Sequence, residues 1–320
     1  MYRIDDATAA TSLPVPEAAG TEGYFTEGNP ATGTPATKVR GSWLNMIQEE
    51  LSNILAAAGI ARSKTAYNQV NAALQKMYGG VIGSVHNGRM YVAAASSTAT
   101  YTADEVIVET ALGAQPYRVA SINQTVNLAT PGAGGMDTGS APANGYVALY
   151  AIYNPVTKVP ALLATNATSA VAPSVYGGAN MPSGYTASAL LTVVPTNGSG
   201  QFKSVLVNDR SVSIPIATAL STSTIQTSPT LLSIASIVPA NAKSIRGELQ
   251  ATSSSASQLT VTVVADSVGQ LSQQNITGQG GSAYTGNYSM DLATPQQIYY
   301  TANSTAGTPS FTIYVSGYSL

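Results

Sequence analysis

The chain contains no cysteine, which removes disulfides and thiolate metal ligands from consideration. Its single histidine, His86, excludes a multi-histidine metal centre. Charge is scarce: 9% of residues are Asp, Glu, Lys or Arg, against about 25% in ordinary globular domains. The net charge of −2 gives no basic field to gather nucleic acid or anionic lipid, so no nucleic-acid partner is expected. No apolar run approaches the ~20 residues that span a bilayer, so membrane insertion is not expected either. The opening MYRIDD lacks the basic-then-apolar order of a secretory signal, which predicts synthesis in the cytoplasm without a signal peptide.

What is present is Ser, Thr, Asn, Gln, Gly and Ala, with 18 tyrosines beside only three Phe and one Trp. Hydrophobic residues make up 44%, enough to bury a core. This composition suits β-structure whose outer face carries hydroxyls and amides, and an assembly that buries surface against identical partners. The length fits two or three domains. Acidity is uneven: after residue 110 the only carboxylates are Asp137, Asp209, Glu248, Asp266 and Asp291.

Residues 1–38 are rich in Pro, Gly, Thr and Ala without sustained periodicity. They read as an extended arm, either a disordered tail or a segment that orders against a partner. Residues 39–80 read as helical. Leu44, Ile47, Leu51, Ile54 and Ala58 recur at steps of three and four, and Gly59 supplies the stop. Ser63 or Thr65 is the expected cap of a second helix, along which Tyr67, Val70, Leu74 and Met77 repeat the spacing before Gly79-Gly80. Two heptads fit a small helical domain, but such helices have little to pack on within one chain. The favoured expectation is therefore that this seam packs against symmetry mates.

Beyond Gly80 the pattern changes to short strand-like runs bounded by Gly, Pro, Asn and Ser. The clearest cover 89–94, 105–109, 146–153 and 189–194, then 244–251, 258–265, 296–301 and 310–316. In the last, Phe311, Ile313 and Val315 alternate with Thr312, Tyr314 and Ser316, giving one apolar face. His86-Asn87-Gly88 reads as a hairpin turn. The expected fold class is mainly β: short N-terminal helices followed by two antiparallel β-sandwich-like units. Their expected bounds are 81–213 and 231–320, joined by a Ser/Thr-rich linker over 214–230.

Three stretches carry a family resemblance. The N-terminal MYRIDDATAA, the GYFTEGNP turn and PATKVRGSWLNMIQEELSNIL resemble the start of bacteriophage and prophage tail-fibre proteins. NGYVALYAIYNP (144–155), VYGGANMPSGYTASALL (175–191) and NGSGQF (197–202) resemble their middle segments. IVPANAKSIRGEL (237–249) and the closing VSGYS resemble fibre tips. The resemblance implies an elongated homotrimer in the virion tail. Its N-terminal region would attach to tail or baseplate proteins, and its C-terminal β-domain would bind a bacterial cell-surface receptor, glycan or protein. A tailocin fibre differs only in the particle. The alternatives are a purely structural tail or baseplate component and, less in keeping with the residues, a capsule depolymerase.

Catalytic constellations are sparse. Asp104, Glu105 and Glu109 are the only close acidic set in the β region, and surface solubilisation explains them better than the paired carboxylates of a glycosidase. No G-x-S-x-G surrounds a serine, and the glycine-rich stretches 132–135 and 278–281 lack a following helix or Lys-Ser/Thr pair. No enzyme activity, cofactor or metal is expected. Binding would fall to tyrosines and amides, which offer flat apolar faces and hydrogen bonds at modest entropic cost. Residues 270–288, read as a loop without charge, concentrate Gln273, Gln274, Gln279, Tyr284, Asn287 and Tyr288. They are either a recognition surface or an ordinary solvated loop with core tyrosines.

Overall fold

The computed structural model describes residues 2–255, 257–279 and 281–320. The chain is mainly β with two α-helices, divided into two compact units, Met1–Gly79 and Gly80–Leu320.

In the first unit α1 spans Gly41–Ala57, the stretch without proline. Glycine sets its end. Gly59 takes φ +65°, its N–H donates to the Ala56 carbonyl at 3.0 Å, and the Ile60 N–H donates to Leu55 at 2.9 Å. These paired bonds satisfy carbonyls that the helix end leaves open. The second helix, α2, spans Gln69–Tyr78 and begins later than its sequence suggests. Neither Ser63 nor Thr65 caps it. Asn68 precedes the first turn without a side-chain cap, and Gln69 folds back instead. Its Oε1 accepts from the Ser63 N–H at 3.0 Å, and its Nε2 donates to the Ala61 carbonyl at 2.6 Å. Tyr67 therefore precedes the helix and stands exposed. Leu55 and Ala73 are fully buried and Ala58 nearly so.

The arm is extended apart from a 3₁₀ turn at Pro30–Thr32, where the Asn29 side chain accepts from Ala31 N–H. Its start is tied down by polar contacts. Arg3 grips Glu49 through two hydrogen bonds at 2.6 and 2.5 Å, the Ile4 N–H donates to Gln48, and Lys64 pairs with Asp5 at 2.6 Å.

The second unit opens with β1 (Val85–His86), β2 (Arg89–Val92), β3 (Thr98–Glu109), β4 (Pro116–Pro131) and β5 (Gly135–Met136). Next come β6 (Tyr146–Asn154), β7 (Val159–Asn166), β8 (Ala187–Pro195), β9 (Val205–Asn208) and β10 (Ser211–Thr222). Then follow β11 (Gln226–Ser233), β12 (Ser244–Ser253), β13 (Gln258–Val264) and β14 (Gln274–Gln279), and finally β15 (Tyr284–Asp291), β16 (Gln297–Ser304) and β17 (Pro309–Ser319).

Strands β3, β4, β5, β7, β6 and β8 follow one another by hydrogen bonding, and β8 meets β3 again at Ser188↔Glu109, so the sheet closes on itself. The pairings are antiparallel except at β5, whose two residues run parallel to both β4 and β7. Inside lie Val106, Val108, Leu149, Leu162, Ala189 and Leu191. The outer face of β6–β8 is also covered: Tyr146, Tyr150, Leu163 and Val193 pack with Ala167, Ala172 and Tyr176 from the β7–β8 connection. Burial on both faces explains why β6 and β8 read as continuous apolar runs.

From β3 the sheet continues through β2, β9 and β10 to β17, β12 and β15. That far end faces a four-stranded sheet ordered β11-β16-β13-β14. Ile245, Leu249, Phe311, Ile313 and Val315 meet Leu259, Val261, Val263 and Ile298 between the layers. The core is one continuous cluster from Met90 to Tyr318, so the two expected β units share it. Fully buried Tyr318 in β17 donates to the Val193 carbonyl in β8 at 2.6 Å, and the Leu320 N–H donates to Arg210.

Two expectations are corrected here. The linker over 214–230 is mostly sheet: 214–222 belong to β10, paired with β17, and 226–230 to β11, paired with β16. Ile214, Ala219 and Leu220 pack partly on the core, with β-favouring Thr218 between them and Thr222 just beyond, so a hydroxyl-rich stretch becomes a strand. Nor is His86-Asn87-Gly88 a hairpin. β1 and β2 pair with β3 in one register, from Val85↔Val106 to Met90↔Tyr101, so this tripeptide only interrupts a continuing strand. Asn87 takes φ +55° and donates to Asp104, while the Gly88 N–H donates to Asp209 at 2.7 Å. The reversal falls at Asp209-Arg210, between β9 and β10.

Candidate binding surface

Residues 270–288 are mostly strand and not loop. β14 ends the four-stranded sheet and β15 ends the larger one, and the two edges face each other. Glycines make the approach close. The Tyr284 ring lies over Gly278, where any Cβ would overlap it, and a Cβ on Gly286 would stand 2.6 Å from Ile276. Because side chains alternate along a strand, Tyr284, Gly286, Tyr288 and Met290 point inward, and Thr285, Asn287 and Ser289 point outward.

This alternation sorts the six candidate residues. Gln273, Gln279 and Asn287 are exposed; Gln274 and Tyr284 are half-buried. Tyr288 is corrected to a core residue. It is 4% exposed and paired with Gly247 of β12, and burial raises its phenol pKa above the ordinary value. Its hydroxyl has no hydrogen-bond partner among the described residues. Tyr299 and Tyr300 are half-buried in β16.

The structure brings three of these positions together with residues that the sequence did not single out. Gln274, Asn287 and Tyr288 line a depression of about 520 Å³ with Arg246 and Glu248 of β12 and Ser316 of β17. Arg246 crosses Gly317, where a side chain would collide with its guanidinium. It donates to Ser211 Oγ, the Val212 carbonyl and Ser213 Oγ at 3.1, 3.2 and 2.8 Å. Strand pairing sets Glu248 between Asn287 and Tyr314 on the outward face. No hydrogen bond engages the side chains of Glu248, Asn287, Gln274 or Ser289 within the described residues. In the sequence these are ordinary alternating polar positions; only the register across β15, β12 and β17 makes them neighbours.

The helical unit presents a different surface. Of the seam positions, Leu44, Ile47 and Leu74 are exposed, Leu51, Ile54, Val70 and Met77 half-buried, and Ala58 buried. The helices meet each other through Leu55, Ala58 and Ala73, the only buried hydrophobics among the unit's described residues. A groove of about 1120 Å³ runs between arm and α1, past Leu13, Pro16, Tyr24, Phe25, Trp43 and Met46. Phe25 meets Trp43 edge-on at 5.0 Å there.

The acidic set does not converge. Asp104 engages His86 and Asn87, Glu105 faces Arg118 at 3.5 Å, and Glu109 accepts the Gly113 N–H at 2.9 Å. Among the described residues no group of His, Cys, Asp and Glu is placed to hold a metal ion, and no helix is long and apolar enough to cross a membrane.

No protein-family profile matches the chain. It is similar to a protein of Escherichia coli (strain K12) called "Uncharacterized protein StfP", with 40% identity over 77 residues. The match covers 24% of this chain and 35% of that protein, so the chain spans about a third of its relative's length.

Proposed function

We propose that this chain is a phage or prophage tail-fibre subunit that acts by binding and not by catalysis. Its helical unit self-associates into a homotrimer and, with the arm, attaches to tail or baseplate proteins of the virion. Its β unit is presented to a bacterial surface receptor. The observation that carries the reading is the apolar surface of the helical unit. Leu44, Ile47, Met46, Trp43 and Leu74 are exposed, while only three hydrophobics among the unit's described residues are buried. A small unit with so little core is marginal alone, and apolar surface in this quantity marks an interaction site. The seam spacing of three and four residues fits copies of the same helix. The tail-fibre resemblance of the N-terminal segments and the similarity to the Escherichia coli protein agree with the reading.

The test is the mass of the full chain by light scattering, beside a Leu44→Glu/Ile47→Glu variant. The expected result is a trimer for the natural chain and a monomer of unchanged helical content for the variant. A monomeric natural chain would remove the assembly. Adsorption of the trimer to enteric cells, Escherichia coli K12 among them, separates receptor binding from a purely structural role.

A further inference from the structure

The outward face of β15-β12-β17 supplies a site that the apolar helical surface does not explain. We infer that the depression around Glu248 is a subsite for an uncharged sugar ring of a cell-envelope polysaccharide. This names the ligand class for the receptor-binding role proposed above and rests on that reading.

Four observations carry it. First, the side chains of Glu248, Asn287, Gln274 and Ser289 surround one depression and have no hydrogen-bond partners in the described chain. They offer a carboxylate acceptor, two amides and a hydroxyl, a mixed set that suits sugar hydroxyls, each of which both donates and accepts. Second, the frame is rigid. Glu248 stands on a central strand, paired on one side with β15 and on the other with β17. A bulge between Arg246 and Gly247 leaves Ser316 unpaired in the ladder, and the Ser316 hydroxyl turns to the Arg246 carbonyl. Third, Arg246 is fixed by three neutral acceptors on β10, two hydroxyls and a carbonyl, so its guanidinium is held in place at the lining without a carboxylate partner among the described residues. Fourth, Tyr314 lies beside Glu248 in register and is half-buried, an aromatic flank for the apolar side of a ring.

The same face argues against other ligands. A protein partner needs anchoring apolar contacts over about 800 Å² per side. Among the described residues of 244–320 the exposed large hydrophobics are Val268 and Leu271, both in the β13–β14 connection and not on this face. Arg246 and Glu248 put one positive and one negative charge at the same depression, so the lining has no net charge to favour an anionic or a cationic sugar over a neutral one.

The experiment applies the full chain to an array of oligosaccharides released from lipopolysaccharide, teichoic acid and capsule preparations. The same preparations are titrated with Glu248→Gln, Asn287→Ala and, as a control off the groove, Gln279→Ala. Glu248→Gln keeps shape and removes the charged acceptor, so binding to neutral oligosaccharides should fall about tenfold or more. Asn287→Ala should fall several-fold, and Gln279→Ala should bind as the natural chain does. Circular dichroism confirms that each variant is folded. Glycan binding that both groove variants leave intact overturns the site. Absence of glycan binding, with adsorption to cells that protease treatment abolishes, overturns the sugar class and leaves the adhesion reading standing. Absence of both overturns the two together.

Discussion

Removing one oxygen from Tyr318 tests whether the barrel-like and sandwich-like parts of the β unit form a single cooperative structure. Tyr318 is fully buried, and its hydroxyl donates to the Val193 carbonyl at 2.6 Å, joining β17 to β8. Tyr318→Phe keeps the ring and deletes the donor. A buried neutral hydrogen bond contributes about 1 kcal/mol net, and leaving an acceptor without its partner raises the cost toward 2–3 kcal/mol. Taking about 1.5 kcal/mol, and about 2–4 °C per kcal/mol for a unit of this size, the midpoint should drop by roughly 3–6 °C. Tyr314→Phe is the control: that hydroxyl makes no hydrogen bond within the described residues, and the change should stay within about 0.5 kcal/mol. Thermal unfolding followed by near- and far-ultraviolet dichroism reads both. The transition of residues 80–320 should move as one for Tyr318→Phe. An unmoved midpoint, or two β transitions of which only one shifts, refutes the shared core.

Two further outcomes follow from local geometry. Gly247→Ala would drive a Cβ into the Tyr314 carbonyl oxygen and toward the Val315 backbone. Backbone cannot swing aside as a side chain does, so the loss should exceed about 3 kcal/mol and show as poor soluble yield; a normally stable variant would disprove the bulge. At the arm, hydrogen bonds from Arg3 lower the Glu49 pKa, and those from Lys64 lower that of Asp5. A lowered carboxyl pKa stabilises the tied arm above the unfolded value of about 4 and loses that effect as pH falls through the folded value. Protection of the Ile4 amide against exchange, relative to its intrinsic rate at each pH, should therefore fall between pH 5 and pH 3, and also in high salt at neutral pH, because this amide donates to Gln48. Protection unchanged across that range would show that the ion pairs do not hold the arm.

What the sequence determined by itself is local and periodic. The α1 stop at Gly59 was legible because few residues other than glycine take φ +65° at that step. The β class, and strands such as β6, β8, β12 and β17, were legible because alternation and apolar runs report burial directly. The connector at 214–230 was misread because a Thr/Ser-rich strand on the flank of a core carries little apolar signal, and its partner β17 lies about a hundred residues away. Asn87-Gly88 failed for a related reason: a turn-forming pair reverses the chain only if the next segment pairs backward, and here β2 carries on along β3. The candidate binding residues were half legible. Composition drew attention to 270–288, but pleat direction turned Tyr288 into the core and Asn287 outward. Arg246 and Glu248 joined Asn287 only through the β12–β15 register, a long-range pairing that no local pattern encodes. Tertiary structure decided which side chains are neighbours, because strand register is fixed by the packing of the whole sheet and not by the strand alone.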